Sequence, residues 1–400
     1  MPIKIDYTTG YAGTGKSHSL IERVNSLPLD TIIVIAPTHK ALARLRGHLP
    51  DNLEIKTIHS LLGWIPCINE EAKRVEHIDS TRKLDKELDE YSHIIIDEAG
   101  MMSEEMFFEI IGKLETQLMT TDPEDKKNVY IHCYLDPYQL LPVKGRQIQT
   151  DPDDTIHLTT QHRSESLDIV ALYTKFVHYL EGLNRDDLTT PYSENVKKLS
   201  IKDFKLGDRL LAYTNQAVGN WNQKIANQLG ITSYEGQEVQ LGNMLDTIIV
   251  TKFLEPSGTD LLRWFYTDNL VLQNTNISMA FLESSLQALV DNEHIQFIEG
   301  MNNKVYPVII GIGKANIILK EAKKNAVEDR RKFKEVYALG RAFVMDYTFA
   351  TTVHKSQGSE FNTVFIDKGN MQKSIVNNYY ETYARLMYVA LSRAKQKIYI

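Results

Sequence analysis

Residues 10–17 read GYAGTGKS, an instance of G-x-x-x-x-G-K-[ST], and the flanking residues decide its meaning. The stretch directly follows the β-rich run IKIDY (3–7) and opens a helical pattern. Gly10, Gly13 and Gly15 allow backbone N–H groups to close around phosphate oxygens, and the positive helix N-terminus favours the anion. Lys16 can reach the β- and γ-phosphates and Ser17 can ligate Mg²⁺, with Thr14 inside the same loop. The competing reading is a glycine-rich turn with no ligand, which would need neither the strand before it nor the helix after it. The stretch therefore predicts an α/β fold that binds the phosphates of a nucleotide together with Mg²⁺.

Outward from this loop, the short apolar runs TIIVIA (31–36), HIIID (93–97) and VYIHCY (129–134) suit strands buried on both faces of a parallel sheet. After Ser103, the residues Met106, Phe107, Ile110, Ile111, Leu114 and Leu118 form one helical stripe, with Glu104 and Glu105 at its N-terminus. The first 155 residues thus read as one β/α domain. A second set starts at LLAYT (210–214) and resumes at VFI (364–366), a helical stretch from about 372 to 391, and the terminal KIYI. Between them, TIIVTKFL, RWFYTDNLVLQ and PVIIGIG suggest a β-rich insertion. A smaller insertion at 63–91 carries WIPCI and KRVEHI around NEEA as a hairpin, followed by a charged helical stretch.

The 400 residues are 42% hydrophobic and 24% charged, with 21 Gly and 12 Pro, which excludes collagen-like, disulfide-scaffold and wholly disordered classes. The two cysteines, Cys67 and Cys133, are too few for a four-cysteine zinc site and predict a reducing, cytoplasmic setting. The N-terminal MPIKIDYTTG lacks a signal-peptide core and no segment approaches a membrane span, so no membrane partner is expected. A net charge of -7 argues against a nonspecific polycation but permits a local nucleic-acid groove. The segment 320–341, with eight Lys/Arg against four Asp/Glu, fits a solvated helix face as well as such a groove.

Asp97 and Glu98 follow the apolar run HIII, at a strand's C-terminal end where open α/β sheets bind ligands. There Asp97 would hold Mg²⁺ and Glu98 would orient or deprotonate the attacking water. Gln139, in LDPYQLLPV, offers a neutral amide able to sense the γ-phosphate. Arg163 in LTTQHRS and Arg393 in VALSRA are candidate arginine fingers, although spacing alone does not separate them from surface arginines.

The ordered set GYAGTGKS, APTHKALARLR, TIHS, DEAG, LDPYQLLPV, QHRS, YTNQAVGNWN, TTVHKSQGSEF and YVALSRA resembles a superfamily 1 helicase of the 5′-to-3′ branch, most like the Dda type of T-even bacteriophages. The resemblance implies two RecA-like P-loop domains with parallel sheets, ATP between them and single-stranded DNA across their tops. It implies domain 1A over 1–155 with hairpin insertion 1B at about 63–91, domain 2A over 156–235 and 341–400, and an SH3-like accessory domain 2B over 236–340. Lys16, Ser17, Asp97, Glu98, Gln139, Arg163 and Arg393 match the family's ATP-site positions, and Gly358 and Glu360 match positions near the γ-phosphate and the sugar. Pro37, Thr38, His39, Thr57, His59, Asn215, Thr352, His354 and Lys355 match strand-contacting positions, whose hydroxyl, imidazole, amide and ammonium groups bind phosphates without reading sequence.

Two departures stand out. The family's adenine-reading Gln upstream of the phosphate loop has no counterpart in the nine residues before Gly10, and His162 stands where relatives carry an aromatic that stacks on adenine. The implied activity is a monomeric, ATP-dependent motor on single-stranded DNA and duplex junctions, working with replication or recombination proteins in the cytoplasm, the host's if phage-encoded. A nucleotide-gated single-strand clamp or remodeller, and an RNA helicase of the same superfamily, are the alternative readings of the same residues.

Overall fold

The structure, a computed structural model, describes residues 3–69, 74–79, 88–120, 127–142, 145–148, 150–162, 166–183, 188–241, 248–254, 288–289, 291–292, 294–328, 343–377 and 379–400. The chain forms two compact units. The first comprises residues 1–197, 356–363 and 371–398, and the second 198–355, 364–370 and 399–400.

The main sheet of the first unit has six strands: β1 (Ile3–Gly10), β2 (Ile32–Ala36), β3 (Glu54–Thr57), β6 (His93–Ile96), β7 (Val129–Leu135) and β8 (Asp154–Leu158). Their order is β3-β2-β6-β7-β1-β8 and every pairing is parallel. All five residues of β2 are buried, as a two-faced parallel strand requires. Helices α1 (Lys16–Asn25), α2 (His39–Arg46), the single turn α3 (Ile58–Leu61) and α4 (Glu104–Thr120) follow β1, β2, β3 and β6. Helix α4 buries Phe107, Ile110, Leu114 and Leu118, so the expected stripe is the buried face, and Ser103 Oγ accepts from the Met106 N–H to cap its start. The hairpin also forms: β4 (Trp64–Asn69) pairs antiparallel with β5 (Arg74–Asp79), Trp64 opposite Asp79.

Further along, α5 (Leu167–Leu180) precedes a five-stranded sheet of order β16-β10-β17-β18-β9. Its strands are β9 (Val196–Lys197), β10 (Arg209–Ala212), β16 (Ala350–Thr352), β17 (Phe361–Ile366) and β18 (Ala394–Tyr399). In the second unit, helix α6 (Asn215–Gln228) follows β10 and buries Val218, Asn222, Ile225 and Ala226. The β-rich insertion is a closed barrel of β11 (Glu238–Leu241), β12 (Ile248–Leu254), β13 (Gln296–Gly300), β14 (Val305–Ile310) and β15 (Phe343–Tyr347), with helix α7 (Ile312–Glu328) between the last two. Val239, Leu241, Val250, Ile298, Val308 and Met345 fill it. The run RWFYTDNLVLQ, residues 80–87 of the charged stretch and residues 329–341 of the basic segment lie outside the described residues.

One element departs from its sequence reading. The helix expected over about 372–391 is instead a 3-10 turn at Gln372–Ser374 and a separate helix, preceded by the single turns α8 (Val353–Ser356) and α9 (Lys368–Met371) and numbered α10 (Glu381–Leu391). Asn377 adopts φ 52° between bridged residues Val376 and Tyr379, and a left-handed residue cannot continue a helix.

Candidate active site

Each strand of the first sheet delivers one part of the site at its C-terminal end. After β1 the chain turns through Gly13 and Gly15, at φ 86° and 87°, into α1. Gly10 is demanded by space, because a Cβ there would lie 2.3 Å from Thr14 Oγ1 and 2.8 Å from the Leu158 carbonyl oxygen. Thr14 Oγ1 donates to the Tyr11 carbonyl at 2.9 Å, and Lys16 Nζ donates to the Gly10 and Tyr11 carbonyls at 2.6 and 2.8 Å. Lys16 also lies 3.8 Å from the buried carboxylate of Asp136, just beyond β7.

Beyond β6, Asp97 and Glu98 are both buried. Burial, reinforced by the neighbouring Glu98 carboxylate and opposed by Arg44, pushes the Asp97 carboxyl up to about 6. Glu98 occupies the left-handed region at φ 50°, ψ 38°, a strained position for a non-glycine residue. Arg44 of α2 hydrogen-bonds Ser17 Oγ and lies 3.6 Å from Asp97 Oδ2, which is buried without a hydrogen-bond partner. These observations fit a hard cation held by oxygen ligands, since Ser17 and Asp97 lie within reach of one positive group and an acceptor is left over. Among the described residues, no group of three or more His, Cys, Asp and Glu side chains could hold a metal by itself.

Gln139 is buried, its amide oxygen accepting from Gln357 Nε2 at 3.3 Å, and Arg385 of α10 donates to the Pro137 and Gln139 carbonyls at 2.8 Å each. Gly358, at φ 75°, accepts from Arg44 at 3.4 Å. Arg393 is buried and donates to the Val389 and Ser359 carbonyls and to Ser392 Oγ at 3.0, 3.3 and 2.9 Å. Glu360 pairs with Lys395 at 3.1 Å. His162 donates its backbone N–H to the Gly13 carbonyl at 2.8 Å, and its ring sits 3.6 Å from where a Cβ on Gly15 would be. Arg163 lies outside the described residues.

The expected strand contacts also gather at sheet edges. In the first unit, Pro37 and Thr38 follow β2 and Thr57 ends β3, with Ala36 paired to Thr57; His39 opens α2. Thr38 Oγ1 and Thr57 Oγ1 cap their helices by accepting from the Ala41 and Ser60 N–H groups, both at 3.2 Å. His59 meets the Trp64 ring edge-on at 6.0 Å. In the second unit, Ala212 of β10 pairs with Thr352 of β16, so Asn215 and the segment Thr352–Lys355 emerge at one edge. Asn215 is exposed, Thr352 Oγ1 accepts from the Lys355 N–H at 3.2 Å, and burial lowers the His354 imidazole below its ordinary range.

Residue-type reasoning missed four members of this site: Arg44, Asp136, Gln161 and Tyr388. Gln161 donates to the Ala12 carbonyl at 2.8 Å and to the Tyr173 hydroxyl. Tyr388 bridges Ala12 and Asp136. All four lie inside the quoted motifs APTHKALARLR, LDPYQLLPV, QHRS and YVALSRA, and motif membership was the available signal.

Residues 3–124 match the profile of an AAA domain, and residues 347–400 that of a UvrD-like helicase C-terminal domain. An uncharacterized protein, R530, of Acanthamoeba polyphaga mimivirus is 21% identical, the match covering 99% of this chain and 94% of that one. The fold is similar to the Pif1 helicase of Candida albicans (16% identity, TM-score 0.50, 100% of this chain and 91% of that one). It is likewise similar to Pif1 helicase in a structure describing DNA unwinding at forked dsDNA (16% identity, TM-score 0.50, 100% and 88%). With an AAA-domain match toward one end, a UvrD-like helicase C-terminal match at the other and a fold similar to that of Pif1 helicases, the chain is similar to the superfamily 1 helicases, which are ATP-hydrolysing DNA helicases.

Proposed function

We propose that the chain is an ATP-driven motor that moves 5′ to 3′ along single-stranded DNA and opens duplex ahead of it. The observation that carries this reading is the gathering of Lys16, Ser17, Asp97, Glu98 and Gln139 at the C-terminal ends of β1, β6 and β7 in one unit, with strand-contact candidates after β2 and β3 of the same sheet. Phosphoryl transfer requires little from a protein beyond positioning and charge stabilisation, and these residue types supply both.

In this reading Gly10, Gly13, Thr14 and Gly15 wrap the phosphates and Lys16 leaves its two loop carbonyls to neutralise their β/γ charge. Ser17 and Asp97 hold Mg²⁺, which supplies charge neutralisation when bound. Glu98 accepts the proton of the attacking water, and Gln139 senses the γ-phosphate. Arg163 and Arg393 stabilise the developing charge, while Gly358, Glu360 and His162 border the nucleotide. Residues 1–155, with the hairpin at about 63–91, form domain 1A, residues 156–235 and 341–400 domain 2A, and residues 236–340 the accessory domain 2B. Pro37, Thr38, His39, Thr57, His59, Asn215, Thr352, His354 and Lys355 grip phosphates without reading bases.

The test is an unwinding assay with 5′-tailed and 3′-tailed duplexes of DNA and RNA. Only 5′-tailed DNA should open. Opening from the 3′ tail alone would reverse the polarity, preference for RNA would change the substrate, and strand-stimulated ATPase without separation would leave a clamp.

A further inference from the structure

One guanidinium nitrogen of Arg44 reaches both residues assigned to the metal: Nη2 hydrogen-bonds Ser17 Oγ and lies 3.6 Å from Asp97 Oδ2. Its other terminal nitrogen, Nη1, donates to the Gly358 carbonyl at 3.4 Å. All four residues belong to the first unit. Arginine cannot shed its charge at any ordinary pH, so a divalent cation drawn to the same two oxygens meets a fixed positive group. Both cations cannot occupy that position, and Asp97, being buried, cannot turn to water as an alternative partner.

We propose that Arg44 is a built-in counter-cation of the Ser17–Asp97 pair, which the metal carried in with the nucleotide must displace. This rests on the reading of Ser17 and Asp97 as the Mg²⁺ ligands. The arrangement makes metal-free nucleotide and metal-bound nucleotide compete on different terms. Without metal, Arg44 supplies positive charge beside the phosphates; with metal, it must leave its two partners. The neutral state of the site is thereby kept free of an unpaired buried carboxylate, the most costly alternative. The helix that brings Arg44 here begins at Thr38 and His39, so the displaced side chain belongs to the element that opens on the expected strand contacts.

The measurement is the affinity of the full chain for ADP, by calorimetry, with Mn²⁺ and with EDTA, in wild type, Arg44→Met, Arg44→Lys and Asp97→Asn. Arg44→Met keeps length and packing but removes the charge, so the ratio of the two affinities should rise at least ten-fold, through tighter binding with Mn²⁺, weaker binding without it, or both. Arg44→Lys should stay near wild type, which also serves if the Met variant does not fold. A ratio that is unchanged or lower in folded Arg44→Met overturns the counter-cation role. Asp97→Asn separates this from the parent reading: if it leaves the Mn²⁺ gain of the wild type intact, or if wild type binds no ADP at all, the assignment of the metal ligands fails first.

Discussion

The hydroxyl of Tyr388 donates to Asp136 Oδ2 at 2.6 Å and accepts from the Ala12 N–H at 2.7 Å, tying helix α10 to the phosphate loop through a fully buried side chain. Burial and the Asp136 carboxylate hold that hydroxyl well above its ordinary pKa, so it remains a donor at every working pH. Tyr388→Phe should leave Asp136 and the Ala12 N–H without this partner, at a cost of about 1–3 kcal/mol. Because Asp136 also faces Lys16 at 3.8 Å, the KM for ATP should rise as Tm falls by a few degrees. Thermal denaturation and steady-state ATPase check both, and wild-type values in each would show that the bridge carries no weight.

Lys16→Ala should abolish hydrolysis and leave the fold intact. The ammonium meets the Gly10 and Tyr11 carbonyls and the Asp136 carboxylate within the site itself, so the loss falls on phosphate charge compensation rather than on the hydrophobic core. Turnover near wild type in a protein with unchanged circular dichroism would remove the phosphate-loop assignment.

Glu98 separates chemistry from stability. Glu98→Gln keeps the shape and should retain nucleotide affinity while hydrolysis falls on the order of 10²-fold or more, for want of a proton acceptor. Glu98→Gly should also lose hydrolysis yet cost no stability, since relief of the left-handed strain at φ 50°, about 1 kcal/mol, offsets the added chain entropy of glycine. A Tm well below wild type for Glu98→Gly would show that the backbone there is not strained.

Asp6 on β1 sits in a second polar cluster, 2.7 Å from both His132 Nδ1 and Arg23 Nη1. Burial raises its carboxyl, but the hydrogen bonds and charges of His132 and Arg23 outweigh this and hold it below the usual carboxylate range. A depressed carboxylate contributes stability above its unfolded pKa of about 3.9 and loses it as pH falls through the lower folded value. The first unit should therefore lose stability below about pH 4 through this group, and Asp6→Asn should lower Tm at pH 7 while flattening that acid limb. Parallel acid limbs for the two proteins in denaturation scans would assign the loss elsewhere.

The sequence by itself determined the local parts. Gly10, Gly13 and Gly15 with Lys16 announce a phosphate loop because its backbone angles and close approaches admit few other residues, and Gly10 proves to have no room for a Cβ. Strand runs such as IIVIA and the α4 stripe were legible because burial on two faces or on one stripe imposes a period on the chain. The hairpin pairing of β4 with β5 and the barrel's β-rich character followed in the same way.

Only the tertiary structure decided which charges meet. Nothing in the spacing of Ser17, Arg44 and Asp97 states that one guanidinium reaches both oxygens, because the strand order β2-β6-β7-β1 must first form to bring the residues after β1, β2 and β6 together. The same holds for Tyr388, whose partner Asp136 is 252 positions away, and for Asn377, whose left-handed turn splits an apolar stretch that reads as one helix. Periodicity reports how a segment faces its own core, whereas a hydrogen bond between distant side chains depends on strand order and register, which local patterning does not encode.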